Sequence, residues 1–150
     1  MSPTPKRPAA THYTTFRGVR ALKSSHPEVR RIKREREDPS LHGNKVWRSS
    51  FALIDYLHRH PVSRGARVID VGCGWGLNGI WLAKKHGARV LAIDADPAVA
   101  PYLELQARIN GVEIEFRTGR FEQLDRRLLA GAELLISIDP PVVPIETEPP

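Results

Sequence analysis

Residues 67–76 read Arg67-Val68-Ile69-Asp70-Val71-Gly72-Cys73-Gly74-Trp75-Gly76. A short run of branched apolar residues breaking into three alternating glycines is a buried strand that opens onto a tight turn. Leu77, Ile80, Trp81 and Lys84 then recur at helical spacing, and Gly87 is suited to close that helix at C′. This strand–turn–helix is the unit on which the rest of the chain is read.

Working outward, Arg89-Val90-Leu91-Ala92-Ile93-Asp94 is a second buried strand. Asp96-Pro97 supplies an N-cap followed by proline at N1, which starts a helix running to about Asn110. Glu113 to Thr118 alternates as a third strand, Phe121, Leu124 and Leu128 mark a further helix, and Glu133 to Ile138 is a fourth strand. Strands alternating with helices predict a parallel α/β sheet with right-handed crossovers. Upstream, Trp47, Phe51, Ile54 and Leu57 lie on one face of a helix ending near His60-Pro61. Pro27 opens a shorter helix to about Asp38, which Pro39 stops, and residues 1–24 show little periodicity and read as a poorly ordered arm.

The chain has 150 residues, 41% hydrophobic and 27% charged, a composition neither disordered nor membrane-spanning. The apolar core of a secretory signal is missing from Met1 to Ala10, and a single cysteine, Cys73, leaves no internal disulfide. A reducing, cytoplasmic setting is expected. Residues 1–60 carry 13 Lys/Arg against 5 Asp/Glu, and residues 61–150 carry 10 against 12, so the net +6 comes from the first part. That excess fits either a basic arm for nucleic acid or a solvated helix. The solvated helix is favoured, because Glu28, Glu35, Glu37 and Asp38 dilute the charge and no aromatics interleave within 24–46.

Chemistry concentrates at the glycine turn. Gly74, Gly76 and Gly79 satisfy the dinucleotide pattern G-x-G-x-x-G, but Asp70 sits in the strand two residues before the first glycine. A carboxylate there repels a pyrophosphate and attracts an ammonium group. Asp94 ends the second strand 22 residues after Gly72, close to the spacing of a carboxylate that accepts ribose hydroxyls. A nucleoside with a cationic amino-acid tail and no phosphate meets both demands, and S-adenosylmethionine is such a molecule. The blander alternative has Asp70 capping a turn and Asp94 merely ending a strand.

Val68 to Gly76 resembles motif I of the class I S-adenosylmethionine-dependent methyltransferases, and Ala92-Ile93-Asp94-Ala95-Asp96-Pro97 resembles their motif II. Lys45-Val46-Trp47, Leu53, Tyr56-Leu57, Gly79-Ile80 and Asn110 are similar to the branch containing seven-strand protein lysine methyltransferases and nicotinamide-N-methyltransferase-like enzymes. The resemblance covers about residues 41–139. It implies a Rossmann-like parallel sheet with strand order 3-2-1-4, and a cofactor site of Trp47, Asp70, Gly72, Cys73, Gly74, Trp75, Gly76, Asp94, Ala95 and Phe121. Trp47 serves either the cofactor or its helix's core, and Trp75 is expected at the turn's surface. Cys73 is expected as a small residue rather than a nucleophile, and no metal is implied. The chain departs from the family in two places. Gly119-Arg120-Phe121 stands where an adenine-binding acid is usual, which leaves Phe121 to pack on the base. Asp139-Pro140-Pro141-Val142 fits the first but not the last position of two acceptor motifs.

The resemblance implies in-line transfer of a methyl group to an amine of a protein lysine or a small molecule, with Asp139 orienting the amine. The organisation expected is a basic arm over 1–40, a partial domain over 41–139 and a Pro-rich tail over 140–150. Four strands where the resembled fold has seven suggest truncation and a fourth strand exposed to self-association. Competing readings are a cofactor-binding but inactive fragment, a nicotinamide-dinucleotide domain that Asp70 disfavours, and a nucleic-acid module led by the basic region.

Overall fold

The computed structural model describes residues 12–36 and 47–137. Its elements are β1 (Tyr13–Phe16), β2 (Val19–Leu22), α1 (Pro27–Arg36), α2 (Trp47–Arg59), β3 (Arg67–Val71), α3 (Leu77–His86), β4 (Arg89–Asp94), α4 (Ala100–Ile109), β5 (Glu115–Thr118), α5 (Arg126–Ala130) and β6 (Leu134–Ser137). Strands β3 to β6 form one parallel sheet in the order β5-β4-β3-β6, which is the expected 3-2-1-4 arrangement of an α/β Rossmann-like fold.

Alternation along the central strands sorts the two faces. Val68 and Val90 point toward α3, where they meet Ile80, Trp81 and Leu82. Ile69, Val71, Leu91 and Ile93 point the other way, against Leu124, Leu128, Leu129 and Ala132. Both faces of β3 and β4 are therefore covered, which is why these strands are almost wholly apolar. The side chain of Asp70 is the exception, buried on the α3 face.

The poorly ordered arm expected over residues 1–24 is corrected for the described part. Tyr13–Phe16 and Val19–Leu22 pair as an antiparallel hairpin, with Phe16 opposite Val19. Arg17 and Gly18 make the turn with φ 43° and 84°, the two positive values that a two-residue hairpin loop of type I′ requires. An isolated hairpin is marginal in water. Here Val19, Ala21 and Leu22 are fully buried, and α4 completes the attachment. Gln106 Oε1 accepts from the Leu22 N–H at 2.8 Å, while Asn110 exchanges hydrogen bonds with the Arg20 backbone at 2.8 and 2.9 Å. Helix α1 buries only Val29 and Ile32, and leaves Arg30, Arg31, Arg34 and Arg36 exposed with Lys33 half-buried.

The single helix expected through Phe121, Leu124 and Leu128 is also corrected. Phe121–Gln123 is a 3₁₀ turn, Leu124 is extended, and Asp125 caps α5 by accepting from the Arg127 N–H at 3.0 Å. Asp125 competes for backbone donors at mid-segment, which divides the helix in two. Among the described residues no helix is long and apolar enough to cross a membrane.

Candidate cofactor cleft

The carboxyl ends of β3, β4 and β5 converge where open parallel sheets meet their ligands. Val71, Gly72, Asp94, Ala95, Gly119, Arg120, Phe121 and Glu122 line an open cleft of about 320 Å³ there.

The turn beneath this cleft is fixed by β4. The Gly72 and Cys73 N–H groups both donate to Ile93 O, at 2.8 and 3.1 Å, and Gly76 N–H donates to Cys73 O at 2.9 Å. Gly72, Gly74 and Gly76 all have positive φ (68°, 54° and 75°), a conformation that side chains rarely adopt. Gly76 has a second reason to be glycine, since a Cβ there would stand 2.1 Å from Leu103 Cδ1. Close approach of α3 to the sheet also needs Gly79, whose Cβ would meet Val90 Cγ1 at 2.6 Å.

Asp94 locks turn and strand together. One carboxylate oxygen accepts from the Gly74 N–H and the other from the Asp96 N–H, each at 2.9 Å. A carboxylate has about four lone-pair sites, so each oxygen retains one for a ligand hydroxyl. Asp96 in turn accepts from the Ala98 N–H at 2.9 Å and starts the segment leading into α4, as its N-cap position predicts.

Asp70 lies under the N-terminus of α3 and is 2% exposed. Burial and the neighbouring Asp94 carboxylate push its carboxyl up to about 7, against a smaller opposing effect of the Gly79 N–H. Its Oδ2 has no hydrogen-bond partner among the described residues, and neither does the buried Asn78 Oδ1. An unsatisfied buried acceptor beside a ligand cleft is the acceptor an incoming ammonium would satisfy. The Cys73 thiol is pushed up strongly by burial and then by Asp70 and Asp94, so it is held as a neutral thiol and not as a nucleophile.

Thus Gly72, Asp94, Ala95 and Phe121 line the cleft, whereas Cys73, Gly74 and Gly76 shape the turn and the buried Asp70, packed near Gly79, is not among the lining residues. Trp75 differs from expectation. Its ring stacks on Tyr102 at 4.7 Å and 7°, beside Leu22, Val29 and Ile32, and so belongs to the packing between α1, β2 and α4. The Trp47 side chain and Asp139 lie outside the described residues. Sequence reasoning missed Glu122, an acid lining the cleft just beyond the position where Gly119-Arg120 stands. The sequence shows it one residue past Phe121, but only the 3₁₀ turn brings it to the cleft.

Residues 68–137 match the family model described as a methyltransferase domain. The ubiquinone biosynthesis O-methyltransferase of Xylella fastidiosa is 38% identical over 71 residues, covering 47% of this chain and 28% of that protein. The ribosomal protein L11 methyltransferase of Caldicellulosiruptor bescii is 36% identical over 81 residues, covering 53% of this chain and 26% of its own length. The chain therefore spans little more than a quarter of the curated relatives it matches. Among solved structures, an RNA methyltransferase from Salinibacter ruber in complex with S-adenosyl-L-homocysteine aligns with a TM-score of 0.51 and 28% identity, covering 57% of this chain and 56% of that one. In sequence and in fold, residues 68–137 are similar to S-adenosylmethionine-dependent methyltransferase domains. The similarities do not single out the lysine or nicotinamide branch, since the relatives' names cover oxygen, protein and RNA methylation.

Proposed function

We propose that this chain binds S-adenosylmethionine in the Asp94 cleft and serves as the cofactor-binding part of a methyltransferase. The observation that carries the reading is the pair of acids. Asp94 keeps free lone pairs at the cleft wall, and Asp70 keeps an unsatisfied buried oxygen below the turn. In the bound state Asp94 accepts the two ribose hydroxyls, the glycine turn lies under the amino-acid tail, and Asp70 neutralises its ammonium. Phe121 packs against the base, with Glu122 near enough on the same wall to accept from an adenine amino group. The cleft's volume falls within the roughly 300–1,000 Å³ common for small-molecule sites. When bound, the cofactor supplies an electrophilic methyl carbon, and the chain's own part is to orient the acceptor and keep water away.

For the acceptor we propose an amine, of a protein lysine or a small molecule, oriented by Asp139 through its lone pair. The relative from Xylella fastidiosa, named an O-methyltransferase, favours a hydroxyl as the second reading. Calorimetry with S-adenosylhomocysteine tests the cofactor site. Asp94→Ala is expected to weaken binding at least tenfold while circular dichroism stays unchanged, and equal affinity in the two proteins would remove the basis for the site. Mass spectrometry of products formed with labelled cofactor separates the acceptors: methylamine products lost in Asp139→Asn support the first, methyl ethers the second.

A further inference from the structure

The opposite end of the sheet holds a second recess, of about 280 Å³, that the cofactor reading leaves unused. It opens between the amino ends of β3 and β4, strand β5 and helix α5. Arg89 to Asp94 spans five residues of strand, so the recess lies roughly 16 Å from the cleft at about 3.3 Å per residue.

Four arginines line it: Arg67, Arg89, Arg117 and Arg127. Arg67 and Arg89 are register partners on adjacent parallel strands, so two like charges stand side by side, an arrangement that is unfavourable without a counter-charge. Arg117 has a carboxylate partner, Glu115, whose Oε1 accepts from both Nε and Nη2 at 3.2 and 3.0 Å. Among the described residues, Arg67, Arg89 and Arg127 have no ion-pair partner. The recess therefore carries four guanidiniums against one carboxylate. Its floor is apolar, formed by Ile69, Leu91 and Leu128, which lowers the local dielectric and strengthens the attraction for an anion.

We propose that this recess is an anion site for a phosphate group, held by the forks of Arg67, Arg89 and Arg127. Guanidinium donors match phosphate oxygens in bidentate geometry, and a bound phosphate removes the repulsion between Arg67 and Arg89. The phosphate could be free, part of a nucleotide, or part of a polynucleotide backbone; the chemistry at the recess is the same.

The test uses the full chain at pH 7.5 and constant ionic strength. Inorganic phosphate, pyrophosphate and a 12-nucleotide RNA are titrated against the parent, Arg89→Gln, Arg127→Gln and the control Arg126→Gln, which does not line the recess. Binding is read by calorimetry and by the rise in Tm over matched sodium chloride. Saturable binding of at least one probe is expected, weakened at least tenfold in Arg89→Gln and Arg127→Gln and unchanged in Arg126→Gln. Competition between RNA and phosphate would assign the site to a polynucleotide, and tighter pyrophosphate binding without RNA binding would assign it to a small ligand. Absence of saturable binding by all three probes, or equal binding in all four proteins, would overturn the proposal. Asp94→Ala should leave these titrations untouched, so failure of the cofactor reading and failure of this one are distinguishable.

Discussion

Replacing Asp70 by Asn should change the pH dependence of folding in a way that few single substitutions can. In the folded chain the carboxyl is raised from 3.8 to about 7, chiefly by burial and then by Asp94. Between those values the folded state holds a proton that the unfolded state releases, so stability falls as pH rises and levels off above about 7. At ~1.4 kcal/mol per pH unit, the gap is worth about 4 kcal/mol in full and about 3 kcal/mol between pH 4.5 and 8. That is a large share of a domain's total of roughly 5–15 kcal/mol. Asparagine keeps the shape and carries no charge, so Asp70→Asn removes the slope, although its buried NH₂ costs about 1–2 kcal/mol of its own. His26 also titrates, lowered by burial, which removes stability as pH falls through its range, but it is common to both proteins and cancels. Urea denaturation followed by circular dichroism from pH 4.5 to 8 gives both curves. The difference, variant minus parent, should grow by about 2–3 kcal/mol across that interval, making the variant the more stable protein at pH 8. Parallel curves would refute the placement of a buried, unsatisfied carboxylate. Saturating S-adenosylhomocysteine should flatten the parent's slope, since its ammonium stabilises the charged form.

Gly76→Ala combines a positive φ with a Cβ 2.1 Å from the buried Leu103, and should cost about 3–5 kcal/mol in urea. Gly74→Ala, with no atom within 4 Å, should cost only about 1 kcal/mol, and equal losses would show that packing against Leu103 is unimportant. Gln106→Ala strands the Leu22 N–H and the Trp75 carbonyl; a loss of about 2–4 kcal/mol is expected, with faster amide exchange at Leu22 and unchanged exchange in β3 and β4. Cys73 should react with a thiol reagent only after denaturation, and stoichiometric labelling of the native chain within minutes would contradict its burial.

The sheet and its glycine turn were legible because their causes are local. Branched apolar residues at Val68, Ile69 and Val71 and over Val90–Ile93, a proline at N1 in Asp96-Pro97 and a glycine at 87 each act within a few residues. The hairpin was not legible for the opposite reason. Tyr13-Thr14-Thr15-Phe16 is a four-residue strand paired only with Val19–Leu22, which is itself anchored by partners 84 and 90 residues away. Arg17-Gly18 was the available signal, though a glycine preceded by Arg is a poor I′ turn on propensity alone. At the site, spacing found Asp70 and Asp94, but the direction of the Trp75 ring depended on Tyr102, which no local pattern supplies. Glu122 was hidden by the break at Leu124-Asp125, since a continuous helix would have turned it elsewhere.

The attachment of the hairpin to α4 also bears on how the chain is made. Leu22 leaves the ribosome 84 residues before Gln106, the side chain that receives its N–H. At synthesis rates of about 5–20 residues per second, that interval is roughly 4–17 seconds. Throughout it, Leu22 lacks Tyr102 and Leu105, the α4 residues of its cluster, and β2 lacks the side-chain acceptors of its backbone N–H groups, although Val19, Ala21 and Leu22 are fully buried in the finished fold. The hairpin is thus an early segment whose attachment is completed late, and during that wait its unpaired backbone is open to chaperones and proteases.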